Sequence, residues 1–113
     1  MYQYKCKLLK VIDGDTIDAE IDLGFDISVK KRIRLFGINT PEVRTRDKEE
    51  KAKGLLAKAR LIEILNENDN NFILFSTSIG KYGRSLGIIY IDDNHELSVN
   101  NQLIKENLAV EYP

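Results

Sequence analysis

The stretch VKKRIRLFGINTPEVRTRDKEEKAKGLLAKARLIEIL (residues 29–65) changes its repeat partway along. From about Val29 to Ile38 the repeat is two residues. Ile33 and Leu35 share one face; Arg32, Arg34 and Phe36 share the other, which is the alternation of a strand. Pro41 has no N–H to donate to a ladder, so the strand ends near Asn39-Thr40-Pro41. Glu42 to Arg46 is a charged loop. From about Asp47 to Leu65 the repeat is helical. Ala52, Leu55, Leu56, Ala59 and Ile62 form one stripe, and Glu49, Glu50, Lys53, Lys58 and Glu63 lie elsewhere. Asp47 is a suitable N-cap, with Glu50 three residues on.

Working outward, Tyr2, Tyr4, Cys6 and Leu8 alternate with Gln3, Lys5 and Lys7, a half-buried first strand. Asp13-Gly14-Asp15 reads as a hairpin turn. A second strand follows, with Ile17, Ala19, Ile21 and Leu23 inward and Gly24 at its end. Beyond the helix, Phe72–Phe75 and Leu86–Ile91 read as two more strands, and Ser98 can cap a short closing helix. The order is three strands, a helix, two strands, a helix. This is the order of a five-stranded OB-fold barrel, a mainly β (α+β) architecture with the long helix between strands three and four. A mixed α+β sheet is the competing arrangement. At 113 residues, residues 1–113 are expected to form a single domain.

Cysteine and histidine exclude several chemistries. Cys6 is the only cysteine, so no internal disulfide forms, and His95 is the only histidine. Zinc sites and Ser-His-Asp catalysis are disfavoured on that count; His95 reads as a solvated turn residue in Asp92-Asp93-Asn94-His95. No apolar run is long enough to cross a membrane. The first residues do not resemble a signal peptide, so a cytoplasmic protein is expected, a processed secreted form being the alternative. The formal net charge is −1, but its distribution is uneven. Basic residues crowd the segment from Lys30 to Lys48, while acids gather between Asp13 and Asp26. A basic segment beside an acidic loop suits a site that holds a phosphate and a cation together.

Oxygen donors and cations supply the remaining chemistry. Asp15 sits at the first hairpin, Arg34 faces outward on the third strand, and Asn39, Thr40 and Glu42 follow its end. Arg84 opens the fifth strand. A meander of the first three strands brings Asp15 and Asn39-Thr40 to one barrel end; the sequence leaves Arg84 unplaced. Attack of water on a phosphodiester builds negative charge on the phosphoryl oxygens, which arginines and a divalent cation offset. A carboxylate such as Glu42 can prepare the water. Asp15, Asn39 and a Thr40 carbonyl are hard donors suited to Ca²⁺ or Mg²⁺. None of these residues is distinctive alone; their conjunction carries the reading.

Three segments make that conjunction specific: Val11-Ile12-Asp13-Gly14-Asp15-Thr16, the run from Arg32 to Glu42, and Lys81-Tyr82-Gly83-Arg84. Together, in this order and with the helix between, they resemble the staphylococcal nuclease (thermonuclease) family over nearly the whole chain. The resemblance implies an OB barrel and calcium-dependent hydrolysis of DNA and RNA with little sequence preference, single strands favoured, by a monomer. It implies one Ca²⁺, with Mg²⁺ the weaker candidate, held by Asp15, Asn39 and the Thr40 carbonyl. By the same resemblance Glu42 holds the attacking water, Arg34 and Arg84 grip the reacting phosphate, and Lys81 and Tyr82 meet a neighbouring phosphate. Asn39 stands where the family usually has Asp, so weaker Ca²⁺ binding is expected. Gly80 replaces an acid often found there, and the long final helix of larger members is missing. The alternative is a non-catalytic OB module binding nucleic acid or a protein.

Overall fold

In the computed structural model the described residues are 2–79, 85–92 and 96–112. The strands are β1 (Tyr2–Asp13), β2 (Thr16–Gly24), β3 (Ile27–Leu35) and a two-residue β4 (Ile38–Asn39). Helix α1 (Lys48–Asn66) follows, then β5 (Asn71–Ile79), β6 (Ser85–Tyr90), helix α2 (Val99–Lys105) and a short β7 (Val110–Glu111). β1, β2, β3, β6 and β5 close into a barrel in that order, which is the expected OB-like architecture. The β3–β6 pairing is parallel and covers only Ile33–Leu35 against Ser85–Gly87. β4 and β7 form a separate ribbon, Ile38 opposite Glu111 and Asn39 opposite Val110.

Alternation sets the core. Ile17, Ala19 and Ile21 of β2 and Ile33 and Leu35 of β3 are buried with Phe72, Leu74 and Ile89. Leu61, Ile64 and Leu65 of α1 close one side and Leu103 of α2 another. Leu23 does not join them; it is exposed, because β2 has by then run past the barrel. β1 pairs with β2 no further than Cys6–Ile21, and the β2–β3 hairpin continues alone to Gly24–Ile27. Its turn residues Phe25 and Asp26 both have positive φ, the two-residue turn that follows the twist of the strands.

Asp47 caps α1, its carboxylate accepting from the N–H groups of Glu49 and Glu50. The return contact expected of Glu50 is made instead by Thr45, whose hydroxyl accepts from the Asp47 N–H. The stripe Ala52, Leu55, Leu56, Ala59 and Ile62 faces solvent, and the buried residues of α1 are Gly54, Ala57, Leu61, Ile64 and Leu65. The reason is proximity. A Cβ on Gly54 would lie 2.8 Å from the carbonyl oxygens of Pro41 and Glu42, so only the smallest side chain lets α1 sit there. The helical repeat was legible, but the size of the neighbours chose the face. Among the described residues no helix is long and apolar enough to cross a membrane.

Candidate active site

The first turn, Gly14-Asp15, lies under α1. A Cβ on Gly14 would meet the Ala57 Cβ at 2.7 Å and Thr40 Cγ2 at 3.0 Å. Gly14 is therefore required by space rather than by a left-handed backbone. The contact seats Asp15 against Thr40. The Thr40 N–H donates to Asp15 Oδ2 at 3.1 Å, and the Thr16 hydroxyl donates to Oδ1 at 3.0 Å. Leu35 N–H donates to the Asp15 carbonyl at 2.8 Å, locking the turn to the end of β3. Asp15 and Thr40 are both buried.

Arg34 completes the cluster. Its Nη1 is 3.2 Å from Asp15 Oδ2 in a largely enclosed ion pair, and its Nη2 donates to Asn39 Oδ1 at 3.4 Å. Asp15, Asn39 and Thr40 thus converge as the meander expectation required, and Arg34 joins them. Glu42 is exposed on a cleft of about 700 Å³ that Asn39 and Thr40 also line, with Asp47, Glu49, Glu50 and Lys53 across it. Lys81, Tyr82 and Arg84 lie outside the described residues, as do Gly80 and the expected turn histidine, His95. Described backbone resumes at Ser85, which pairs with Ile33 beside Arg34.

Three contributors escaped sequence reasoning. The ring of Tyr112 lies over the Arg34 guanidinium, 5.5 Å from its carbon to the ring centre, and the Tyr112 N–H donates to the Gly37 carbonyl. Buried Asn100 donates to the carbonyls of Phe36 and Gly87 and accepts from Ile89 N–H, tying the end of β3 to β6. Gly54 leaves room for the Pro41–Glu42 backbone to lie against α1. A glycine inside a helix, costly by about 1 kcal/mol, was the one available signal.

The donor set suits a hard cation. Asp15 and Asn39 oxygens contact the two terminal nitrogens of one guanidinium, and Thr40 Oγ1 is buried with no hydrogen-bond partner. The set is low in charge. Among the described residues no three of His, Cys, Asp and Glu cluster for a metal.

A family model described as "Staphylococcal nuclease homologue" matches residues 32–113. The chain belongs to the staphylococcal nuclease homologue family. A Methanocaldococcus jannaschii protein described as "Uncharacterized protein MJ1439" is 30% identical over 129 residues, covering 96% of this chain. This chain spans 59% of that relative's length. The family is one of nuclease-type, nucleic-acid-binding domains. The matched span includes Arg34, Asn39, Thr40 and Glu42, while Asp15 lies before it.

Proposed function

We propose that this chain is a calcium-dependent phosphodiesterase acting on DNA and RNA, single strands favoured, with little sequence preference. The observation that carries the reading is Arg34 held between Asp15 and Asn39, with Asn39 and Thr40 lining the same cleft as Glu42. Asp15, Asn39 and the Thr40 carbonyl would hold Ca²⁺, with Mg²⁺ the weaker candidate because it demands stricter octahedral geometry. Such an ion would offset charge on the phosphoryl oxygens and acidify a bound water.

The chain's own groups do the rest. Arg34 presents paired N–H donors to a phosphate, a geometry suited to bidentate contact. Tyr112 and Asn39 restrict where that guanidinium points. Glu42, exposed and hinged to a backbone fixed by Gly54, accepts a proton from the attacking water as general base. Arg84, immediately before Ser85, is assigned the second guanidinium, and Lys81 and Tyr82 the adjacent phosphate. One observation favours the non-catalytic reading: a single carboxylate, Asp15, lies in the donor cluster, already paired with Arg34. Incubation with a labelled oligonucleotide separates the two. Cleavage in Ca²⁺ that disappears with EGTA and in Glu42→Gln supports hydrolysis; binding without turnover, unchanged in Glu42→Gln, supports the module.

A further inference from the structure

We propose that the β2–β3 hairpin arm is a second contact surface for single-stranded nucleic acid, several nucleotides from the reacting phosphate; this rests on the nuclease reading above. Three observations carry it.

The first is charge. On the outward face at the base of the arm, Glu20 lies between Lys7 of β1 and Lys30 of β3, and Asp18 between Lys10 and Arg32. Four cations face two acids, in a chain whose formal net charge is −1. Asp18 is committed to Arg32, at 2.8 Å and 3.1 Å. Lys30 has no ion pair within 4.0 Å among the described residues. The cationic excess of this face is therefore open to phosphates.

The second is register. Lys30, Arg32 and Arg34 are alternate residues of one strand, about 6.8 Å apart at ~3.4 Å per residue. That interval is close to the phosphate repeat of an extended single strand. A backbone gripped at Arg34 would therefore meet Arg32, already paired with Asp18, at the next step and Lys30 at the one after.

The third is the tip. Phe25 is 99% exposed with φ +55°, a backbone conformation unfavourable for a bulky residue. Leu23 and Ile27 flank it, also exposed. An aromatic ring presented to solvent at a two-residue turn is a platform on which a base can stack, independent of sequence. Asp22, exposed on the same face as Glu20, accepts from Gly24 N–H and keeps its negative charge beside the tip. Asp26 opposes an approaching phosphate, so Asp26→Asn should tighten binding.

The chain has no tryptophan, so Phe25→Trp introduces a unique reporter. Its emission is followed in a Glu42→Gln background with EGTA, where nothing is cleaved. An oligothymidylate of roughly ten nucleotides should quench the indole, whereas one of roughly three should not. Lys30→Glu should weaken the longer ligand by about fivefold and make its affinity less sensitive to salt. Phe25→Ala should raise KM for long substrates while leaving cleavage of a dinucleotide unchanged. Emission that ignores the oligonucleotide, or that shifts only with self-association or with lipid vesicles, overturns the proposal. The two readings fail separately. Normal cleavage with no effect of Phe25→Ala or Lys30→Glu removes the arm alone; quenching without turnover in the Glu42-containing protein removes the hydrolytic reading.

Discussion

The two halves of β3 live in different surroundings. From Ile33 to Leu35 the strand has β2 on one side and β6 on the other, and its inward residues are fully enclosed. From Ile27 to Arg32 its strand partner among the described residues is β2, and the same alternation adds only half-buried Val29 to the core. Arg34, in the enclosed half, has an ion partner, an amide partner and an aromatic neighbour. Arg32, two residues away, has Asp18 as its one ion partner among the described residues, in a pair whose arginine is half exposed. Identical chemistry is fixed in one place and loosely held in the other, because neighbouring strands supply the constraint. The enclosed half suits a reacting group; the open half suits tolerant contact.

Crowding should produce the largest contrast. Gly54→Ala places a methyl against two backbone carbonyls, and overpacking of this kind costs about 1–3 kcal/mol. We expect lowered thermal stability and loss of most cleavage, because Glu42 moves with the displaced backbone. Gly24→Ala in the arm meets no atom within 4 Å and carries only the strain of φ +84°, about 1 kcal/mol. Equal effects of the two, read by thermal melts, would erase the distinction.

Charge removal comes next. Arg34→Met should lower cleavage by about 10²- to 10³-fold, the usual effect of losing one group that stabilises transition-state charge. Arg32→Met should change cleavage of short substrates by less than about twofold, since exposed pairs contribute little. Initial rates on a dinucleotide and on a long oligonucleotide compare the two.

Cys6 tests how firmly the base of the arm is held. It pairs with Ile21, where β1 leaves the hairpin. Burial, and secondarily the charge of Asp22, push its thiol pKa up to about 12. At pH 8 the native thiol should react with a disulfide reagent only as fast as the barrel opens, because the thiolate is the nucleophile. Labelling as fast as a free thiol would mean that the arm frays down to Ile21.

The smallest effect concerns acid. Hydrogen bonds from Arg60 and then Gln102 hold the Glu106 carboxyl below the usual range, and Arg32 does the same for Asp18. Each lowered pKa adds stability above the unfolded value, near 4, and that stability is lost as pH falls through the folded value. Glu106→Gln should therefore be less stable than wild type at pH 7 and nearly equal to it in strong acid. A constant difference across that range would show that the pair does not titrate as described. Both carboxylates are half-buried and still reached by solvent, so the effect is modest.

Much of this was legible because strands and helices repeat differently. The meander, the cap at Asp47 and the convergence of Asp15 with Asn39 and Thr40 follow from alternation and turn chemistry. What the repeat could not convey was distance between elements. The buried face of α1 was chosen by the carbonyls of Pro41 and Glu42 against Gly54, which no local pattern encodes. The same holds for Tyr112 over Arg34 and for Asn100 bridging Phe36 and Gly87, whose partners lie far along the chain. Leu23 follows the inward alternation yet is exposed, since the pattern does not tell where a hairpin outruns its barrel.

Calorimetric titration of Ca²⁺ into the wild type, Asp15→Asn and Asn39→Asp tests the barrel-end site most directly. The account predicts one ion bound weakly by the wild type, more tightly by Asn39→Asp, and not measurably by Asp15→Asn. Calcium binding that survives Asp15→Asn unchanged, or that Asn39→Asp leaves equal or weaker, would contradict it.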